Sequence, residues 1–381
     1  MAGESFSSDE LLRYSRQLAL PSVGLEGQER LRGSRVVVVG AGGLGSPAAL
    51  YLAAAGVGTI GLVDPDRVDA TNLHRQVLYG TSDIGESKVE RARSRLASQN
   101  PHVEVRVHAT ALTSRNALDI LQEYDIVLDG TDSFSARYLV NDACVLLGRP
   151  NVYASVLKFD GQLSVFGHRA GPCYRCLYPE PPPPGSVPSC AEGGVLGVLP
   201  GIMGLLQATE AIKLILGLGD VASGRLLLFS ALRMEFRSIG VRRDPACPMC
   251  GTREISRLID YDAFCGVRPS QDAVSGPALV SPAQLQAWRS AGRVLDLIDV
   301  REPWEFSITR IPGARLIPLA DLEHHVSTLG GTAPVVVYCH HGVRSNAAAA
   351  RLHALGIDPV FDLAGGIDRY SREVDPSLPR Y

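Results

Sequence analysis

Residues 35–55 read RVVVVGAGGLGSPAALYLAAA, and no other stretch constrains the fold as strongly. A β-branched run without polar alternation is a strand covered on both faces, as parallel strands between helices are. Gly40, Gly42, Gly43 and Gly45 then make a turn that lets backbone amides and a helix N-terminus approach a phosphate, and an alanine-rich helix is expected over 46–55. A second strand at 59–63 completes a βαβ unit, the element of a right-handed parallel sheet. The alternation continues with helix 88–99, strand 103–108, helix 115–122, strand 125–129 and helix 135–148. Residues 1–265 are therefore expected to form an α/β, doubly wound, Rossmann-like nucleotide-binding domain.

A chain of 381 residues is too long for one ordinary domain. Residues 266–277, GVRPSQDAVSGP, have linker composition, and strand signals restart at 295–299 and 335–338, so a smaller α/β domain is expected over 278–381. A net charge of −3 offers nucleic acid no basic surface, and no direct nucleic-acid partner is expected. Residues 1–10 are polar and acidic, and the apolar run 195–218 is broken by Pro200, Gln207, Glu210 and Lys213. Neither a secretory leader nor a membrane span is expected, and the chain reads as cytoplasmic. Residues 7–17 read as a helix with Ser7 or Ser8 as its cap, an arm ahead of the first strand. The segment 179–189, PEPPPPGSVPS, is expected to be extended surface chain.

Asp64 ends the second strand, where an acidic residue binds ribose hydroxyls. With the glycines alone it makes an NAD-dependent oxidoreductase the leading reading. Asn72, Arg75, Gln76 and Lys88 pull toward ATP, because cations near a helix N-terminus oppose its dipole unless they face an anion such as a triphosphate. Each alone is as well explained as a solvated surface group. Asp129 and Asp132 follow the fourth strand in LDGTDSF; Asp132 is the candidate for holding Mg²⁺ against phosphates, with Asp129 capping the turn.

The eight cysteines read as ligands and reactive thiols. Cys173 and Cys176 form one Cys-x-x-Cys pair and Cys247 and Cys250 a second, and together they suit a tetrahedral, structural Zn²⁺ site, with a redox disulfide as the alternative. Cys190 precedes a glycine-rich helix start whose amides would lower its pKa; it is a candidate nucleophile or a merely exposed thiol. Cys339 opens the loop CHHGVRS after an apolar strand, where inward amides and Arg344 favour a thiolate or persulfide. A cysteine phosphatase is the rival reading, but its loop carries one more residue between Cys and Arg. His340 and His341 read as solvated.

The motifs RYSRQL, GAGGLGSP, LVDPDRVDATNLHRQ, IGESKVERA and DGTDSFSARYLVND together resemble the MoeB/ThiF family of ubiquitin-activating-like adenylyltransferases over most of residues 1–265, which displaces the NAD reading. The resemblance implies that the C-terminal Gly-Gly carboxylate of a small ubiquitin-fold sulfur carrier attacks the α-phosphate of ATP, giving an acyl-adenylate and pyrophosphate. Asp64 would then bind ribose, Arg75 and Lys88 neutralise phosphates, and Asp132 bind Mg²⁺ or position the reacting groups. Arg16 matches an arginine that reaches into the other subunit's phosphate site, which implies a homodimer. Cys190 falls on a crossover loop that in some members carries a covalent carrier adduct or exchanges a persulfide.

DVREPWEF, IPGARLIP, CHHGVRS and LAGGIDRY resemble the rhodanese family over nearly all of 278–381, with Tyr370 where Trp is usual. Cys339 would carry the persulfide, stabilised by the loop amides and Arg344. Such a fusion is similar to MoeZ-type adenylyltransferase and sulfurtransferase proteins: the persulfide displaces the adenylate and a thiocarboxylate results. The donor would be thiosulfate or a persulfide-bearing desulfurase, and the end product molybdopterin, thiamine, cysteine or another thio-cofactor. The alternative is an activating enzyme or adaptor whose rhodanese part only docks partners.

Overall fold

A computed structural model describes residues 5–183, 193–266, 278–329, 331 and 333–381, and the chain divides into two compact units, Met1–Arg268 and Pro269–Tyr381. The first unit holds strands β1 (Arg35–Val39), β2 (Thr59–Val63), β3 (Glu104–His108), β4 (Ile126–Asp129), β5 (Asn151–Leu157), β6 (Asp160–Phe166), β7 (Arg225–Ser230) and β8 (Glu235–Gly240) in one sheet of order β3-β2-β1-β4-β5-β6-β7-β8. Strands β1 to β5 are parallel where they pair, because helices cross between them; β6, β7 and β8 add antiparallel. The expected Rossmann-like sheet is present in β1 to β5, and β6 to β8 extend it as an antiparallel addition. β5 turns straight into β6, and β8 is exposed along its whole length, so neither carries the buried, helix-separated run that marks the earlier strands.

Between β1 and its two neighbours the strand order reverses, and this opens a crevice at the carboxyl ends, where open α/β sheets bind ligands. Gly40 makes the turn at φ +91°, and a Cβ there would meet the Gly130 carbonyl oxygen at 2.8 Å. A Cβ on Gly45 would collide with the Gly40 carbonyl oxygen, so the helix Gly45–Ala55 can start this close to the strand only with glycine at its entry.

The helix Ser8–Leu18 begins on a capping box between Ser7 and Glu10 and buries Tyr14, whose hydroxyl accepts from Asn100 Nδ2 at 2.9 Å. A further helix, Gly24–Gly33, was not expected, because its three glycines disguise it. The helix Val198–Leu216 has 19 residues and a mean hydropathy of 1.4, enough by length and composition to cross a membrane. Here it is a core helix. Met203 and Ala211 are fully buried, Gln207 Nε2 donates to the carbonyls of Asp129 and Val152 at 2.8 Å each, and Glu210 accepts the Ala222 N–H at 2.7 Å. Polar groups aimed into a sheet are what a helix packed in a protein needs, and lipid offers them no partner.

The second unit is a parallel five-stranded sheet of order β11-β10-β12-β13-β9, built from β9 (Ala278–Val280), β10 (Asp296–Asp299), β11 (Arg315–Leu316), β12 (Val335–Tyr338) and β13 (Val360–Leu363). Central β12 is wholly buried and leads directly into Cys339. Tyr370 is buried, and its hydroxyl bridges Gln286 and Arg289 at 2.9 and 3.0 Å.

Candidate active sites and a candidate metal centre

A cavity of about 900 Å³ lies at the carboxyl ends of the first unit's parallel strands. Gly40, Gly42 and Gly43 line it beside Asp64, Asn72, Arg75, Gln76 and Lys88, and Asp132 stands at its exposed rim. Of the residues expected to bind nucleotide only Gly45 is not in the lining; its part is the close packing already described.

The strands place these groups, and hydrogen bonds aim them. Asp64 is buried at the end of β2, and its two oxygens accept the amides of Ala41 and Asp66, each at 2.8 Å. Burial pushes its pKa up, against the pull of Lys88. Lys88 is 4 % exposed and its Nζ lies 2.9 Å from Asp66 Oδ2, so the solvated-surface reading fails for it. Asn72 Oδ1 accepts from Gln76 Nε2 at 2.9 Å and from Arg75 Nη2 at 3.2 Å, which orders the arginine in advance of any ligand. Buried Gln76 Oε1 has no partner among the described residues. Asp129 accepts the Thr131 amide at 3.0 Å and hydroxyl at 2.6 Å, the turn cap expected of it.

Sequence reasoning passed over Asp66, which pairs with Lys88, and Arg137, a buried cavity residue whose guanidinium lies 5.3 Å from the Phe134 ring. Both sit inside the quoted motifs, so the signal was present. Arg16 is exposed and lines no part of the cavity of its own chain. A cavity lined by the glycine turn, by the cations Arg75, Lys88, Arg115 and Arg137, and by a rim carboxylate suits a nucleoside triphosphate.

The four expected metal ligands come together although the two pairs are distant in sequence. Cys173, Cys176, Cys247 and Cys250 have their Sγ atoms all within 4.8 Å of one another, with 3.6 Å between Cys173 and Cys247 and 3.3 Å between Cys176 and Cys250. Metal–thiolate bonds of about 2.3 Å in a tetrahedron hold sulfurs about 3.8 Å apart, so the spacing fits a bound metal ion. Local turns shape both pairs: Cys176 N–H bonds the Cys173 carbonyl three residues back at 3.0 Å, and Gly251 N–H bonds the Cys247 carbonyl four residues back at 2.8 Å. Cys190 lies outside the described residues.

In the second unit Cys339 is 1 % exposed, and its Sγ accepts the Gly342 amide at 3.1 Å and the Ser345 hydroxyl at 3.4 Å. The helix Val343–Ala354 starts within this loop, so its positive end faces the sulfur. Arg344 does more than the sequence reading allowed. Its guanidinium forks onto buried Glu305 at 2.6 and 2.7 Å, so its charge is already shared before any sulfur arrives. Tyr381 donates to the same carboxylate at 2.9 Å and stacks on His340 with ring centroids 4.3 Å apart. His340 is thus not a solvated side chain: burial first, and His341 second, push its pKa down to about 4. Nothing in the order of residues announces contacts between the last residue and the loop.

Asp362, next to Ser345 and Asn346, is buried, and burial pushes its pKa up to about 6. The folded protein therefore keeps a proton that the unfolded chain releases near pH 4, and the stability this contributes is lost as pH rises from about 4 to about 6. Asp362→Asn should stabilise the protein above pH 6 and leave it unchanged below pH 4, read by denaturant titration across that range. His340 acts with the opposite sign, since its unfolded form takes up a proton below about 6.5, so the wild-type profile is flattened and the difference between variants is the informative quantity. An Asp362→Asn difference independent of pH would contradict the assignment.

Comparison with known proteins agrees with this division. The ThiF family model matches residues 14–249 and the rhodanese-like domain model residues 281–373. The chain is 47% identical over 384 residues to the probable adenylyltransferase/sulfurtransferase MoeZ of Mycobacterium tuberculosis, covering 99% of this chain and 97% of that protein. It is 45% identical to the adenylyltransferase and sulfurtransferase MOCS3 of Drosophila ananassae, covering 98% and 86%. The sulfur carrier protein adenylyltransferase of Thermus thermophilus is 56% identical over 269 residues, 69% of this chain and 99% of that one. Among solved structures, E. coli MccB with ATP superposes with a TM-score of 0.56 at 25% identity, over 63% of this chain and 74% of that one.

Proposed function

Because the chain belongs to the ThiF family and carries a rhodanese-like domain, we propose that it adenylates the C-terminal Gly-Gly carboxylate of a small ubiquitin-fold sulfur carrier with ATP and converts the acyl-adenylate to a thiocarboxylate. The observation that carries this reading is the pairing, in one chain, of a triphosphate-sized cavity holding Lys88 and Arg75 with a buried cysteine among amide donors. The two units supply the two halves of one reaction.

In the first half a carboxylate oxygen of the carrier attacks the α-phosphorus and pyrophosphate leaves. Lys88 and Arg75 take up the charge on the departing phosphates, Asp64 holds the ribose and the Gly40–Gly43 amides face the phosphate chain. Asp132 at the rim would hold Mg²⁺, which neutralises phosphate charge when bound. Arg16 acts from the partner subunit of a homodimer.

In the second half the terminal sulfur of a Cys339 persulfide attacks the acyl carbon and expels AMP, leaving an acyl disulfide between carrier and Cys339. A second thiol, from Cys190 or another cysteine, attacks the Cys339 sulfur and releases the thiocarboxylate, forming a disulfide in its place. An external dithiol reduces this disulfide, and the freed Cys339 thiolate then takes a sulfane sulfur from thiosulfate, releasing sulfite, or from the persulfide of a desulfurase, releasing its thiol. The four clustered cysteines fit Zn²⁺ with no open position, a structural role, and a purified protein without zinc on elemental analysis would remove this assignment. A reduced, cytoplasmic setting suits these thiols.

The test is ATP–pyrophosphate exchange with Gly-Gly-terminated ubiquitin-fold proteins. Exchange should require one such carrier and vanish when its last glycine is deleted. Exchange with no carrier tested, or with the truncated carrier as well, would overturn the reading.

A further inference from the structure

Ile259, Tyr261 and Asp262 line the nucleotide cavity, although the ThiF family match ends at residue 249. Nothing in the motifs accounts for them. This segment is held by a buried network instead of by the sheet. The Tyr261 ring is 4 % exposed, and its hydroxyl donates to Asp142 Oδ2 at 2.8 Å. Asp142 is fully buried and also receives Arg175 Nε at 2.9 Å and Nη2 at 2.8 Å. Arg175 sits between Cys173 and Cys176, its guanidinium 4.8 Å from the Tyr138 ring centre and 4.7 Å from that of Phe264. The Ser114 hydroxyl donates to the Ile259 carbonyl, which ties the segment to the loop 110–115, a part of the same cavity wall.

Sheet order says which end of a nucleotide this wall meets. The glycine turn ends β1, Asp64 ends β2, and the loop 110–115 follows β3, so the three stand side by side in that order. Neighbouring strands are about 4.8 Å apart. A nucleotide with its phosphates over β1 and its ribose at β2 carries its base toward 110–115 and the segment joined to it. We propose that residues 259–262 form the base-side wall of the ATP site, with Tyr261 as a positioning residue anchored through Asp142 to Arg175. The proposal rests on the ATP reading above. It adds a wall supplied from beyond the matched family region and braced by the residue between two of the clustered cysteines.

Backbone amide exchange of the full chain, measured with and without a non-hydrolysable ATP analogue and Mg²⁺, tests it without any variant. Bound nucleotide should slow exchange at 259–264 as well as at 40–45. Tyr261→Phe keeps the ring and removes the hydroxyl that fixes it, so it should raise KM for ATP about three- to tenfold while kcat stays within about twofold, a change on the scale of one ordinary hydrogen bond. A purely structural role would lower the melting temperature and leave KM unchanged, and that result overturns the proposal. So does calorimetric binding of the analogue with protection confined to 40–45, which would leave the ATP reading intact. Failure to bind the analogue at all overturns both.

Discussion

Cys339→Ala is expected to keep carrier-dependent pyrophosphate exchange at the wild-type rate and to reduce thiocarboxylate formation by on the order of 10³-fold or more, as removal of a nucleophile does. Cys339 is the only cysteine in residues 278–381, so no neighbour in that domain can inherit the sulfur. Its Sγ already accepts two donors, from Gly342 and Ser345, at the start of a helix, and an anionic persulfide gains most from such a cradle. Removing a side chain as small as a thiol from beneath a wholly buried strand end should cost little structure. Adenylation belongs to the other unit and does not need it. Mass spectrometry of the carrier and an exchange assay on one preparation separate the two steps, and wild-type thiocarboxylate yield from the variant would exclude Cys339 as the sulfur carrier.

Arg16→Ala is expected to lower exchange by about 10³-fold, the scale of an arginine supplied across an interface to a phosphoryl group. Within one chain Arg16 is exposed and outside the cavity, so this loss is assigned to the cavity of another subunit. A mixing experiment makes the point sharper. Lys88→Ala disables a cavity from within, and Arg16→Ala disables a partner's. After random reassociation half the dimers are mixed and each has one cavity free of both changes, so activity should return to about a quarter of wild type from two inactive parents. Mixtures that stay inactive while exchanging subunits would place Arg16 in its own chain's chemistry or in none.

What could be read from the residues alone follows from where their interactions run. The β1 turn and its neighbourhood, residues 35–55, are local: four valines, the glycines and the alanine helix specify strand, turn and helix without distant help, and they supply one wall of the cavity. The cysteine cluster was legible despite its long gap because metal chemistry admits few residue types and spacings. β8, Glu235–Gly240, was not legible because an exposed edge strand has no buried periodicity to read, and β6, though mostly buried, follows β5 with no helix between to mark it. Nor were the contacts of Tyr381 with Glu305 and His340, or of Tyr261 with Asp142, where partners 76, 41 and 119 residues apart meet only once the fold exists. Arg344 lay between these cases: its position in the loop was evident, and the Glu305 carboxylate that shares its charge was not.

The account stands or falls on the product of the complete reaction. Each small Gly-Gly-terminated ubiquitin-fold protein from the same organism, incubated with the enzyme, ATP, Mg²⁺ and thiosulfate, is weighed intact by mass spectrometry. The account predicts that one carrier exchanges a single carboxylate oxygen for sulfur, that ATP is required, and that Cys339→Ala blocks the change. A carrier that accumulates only as the adenylate, with every thiol intact and the sulfur donor present, would contradict the coupled mechanism.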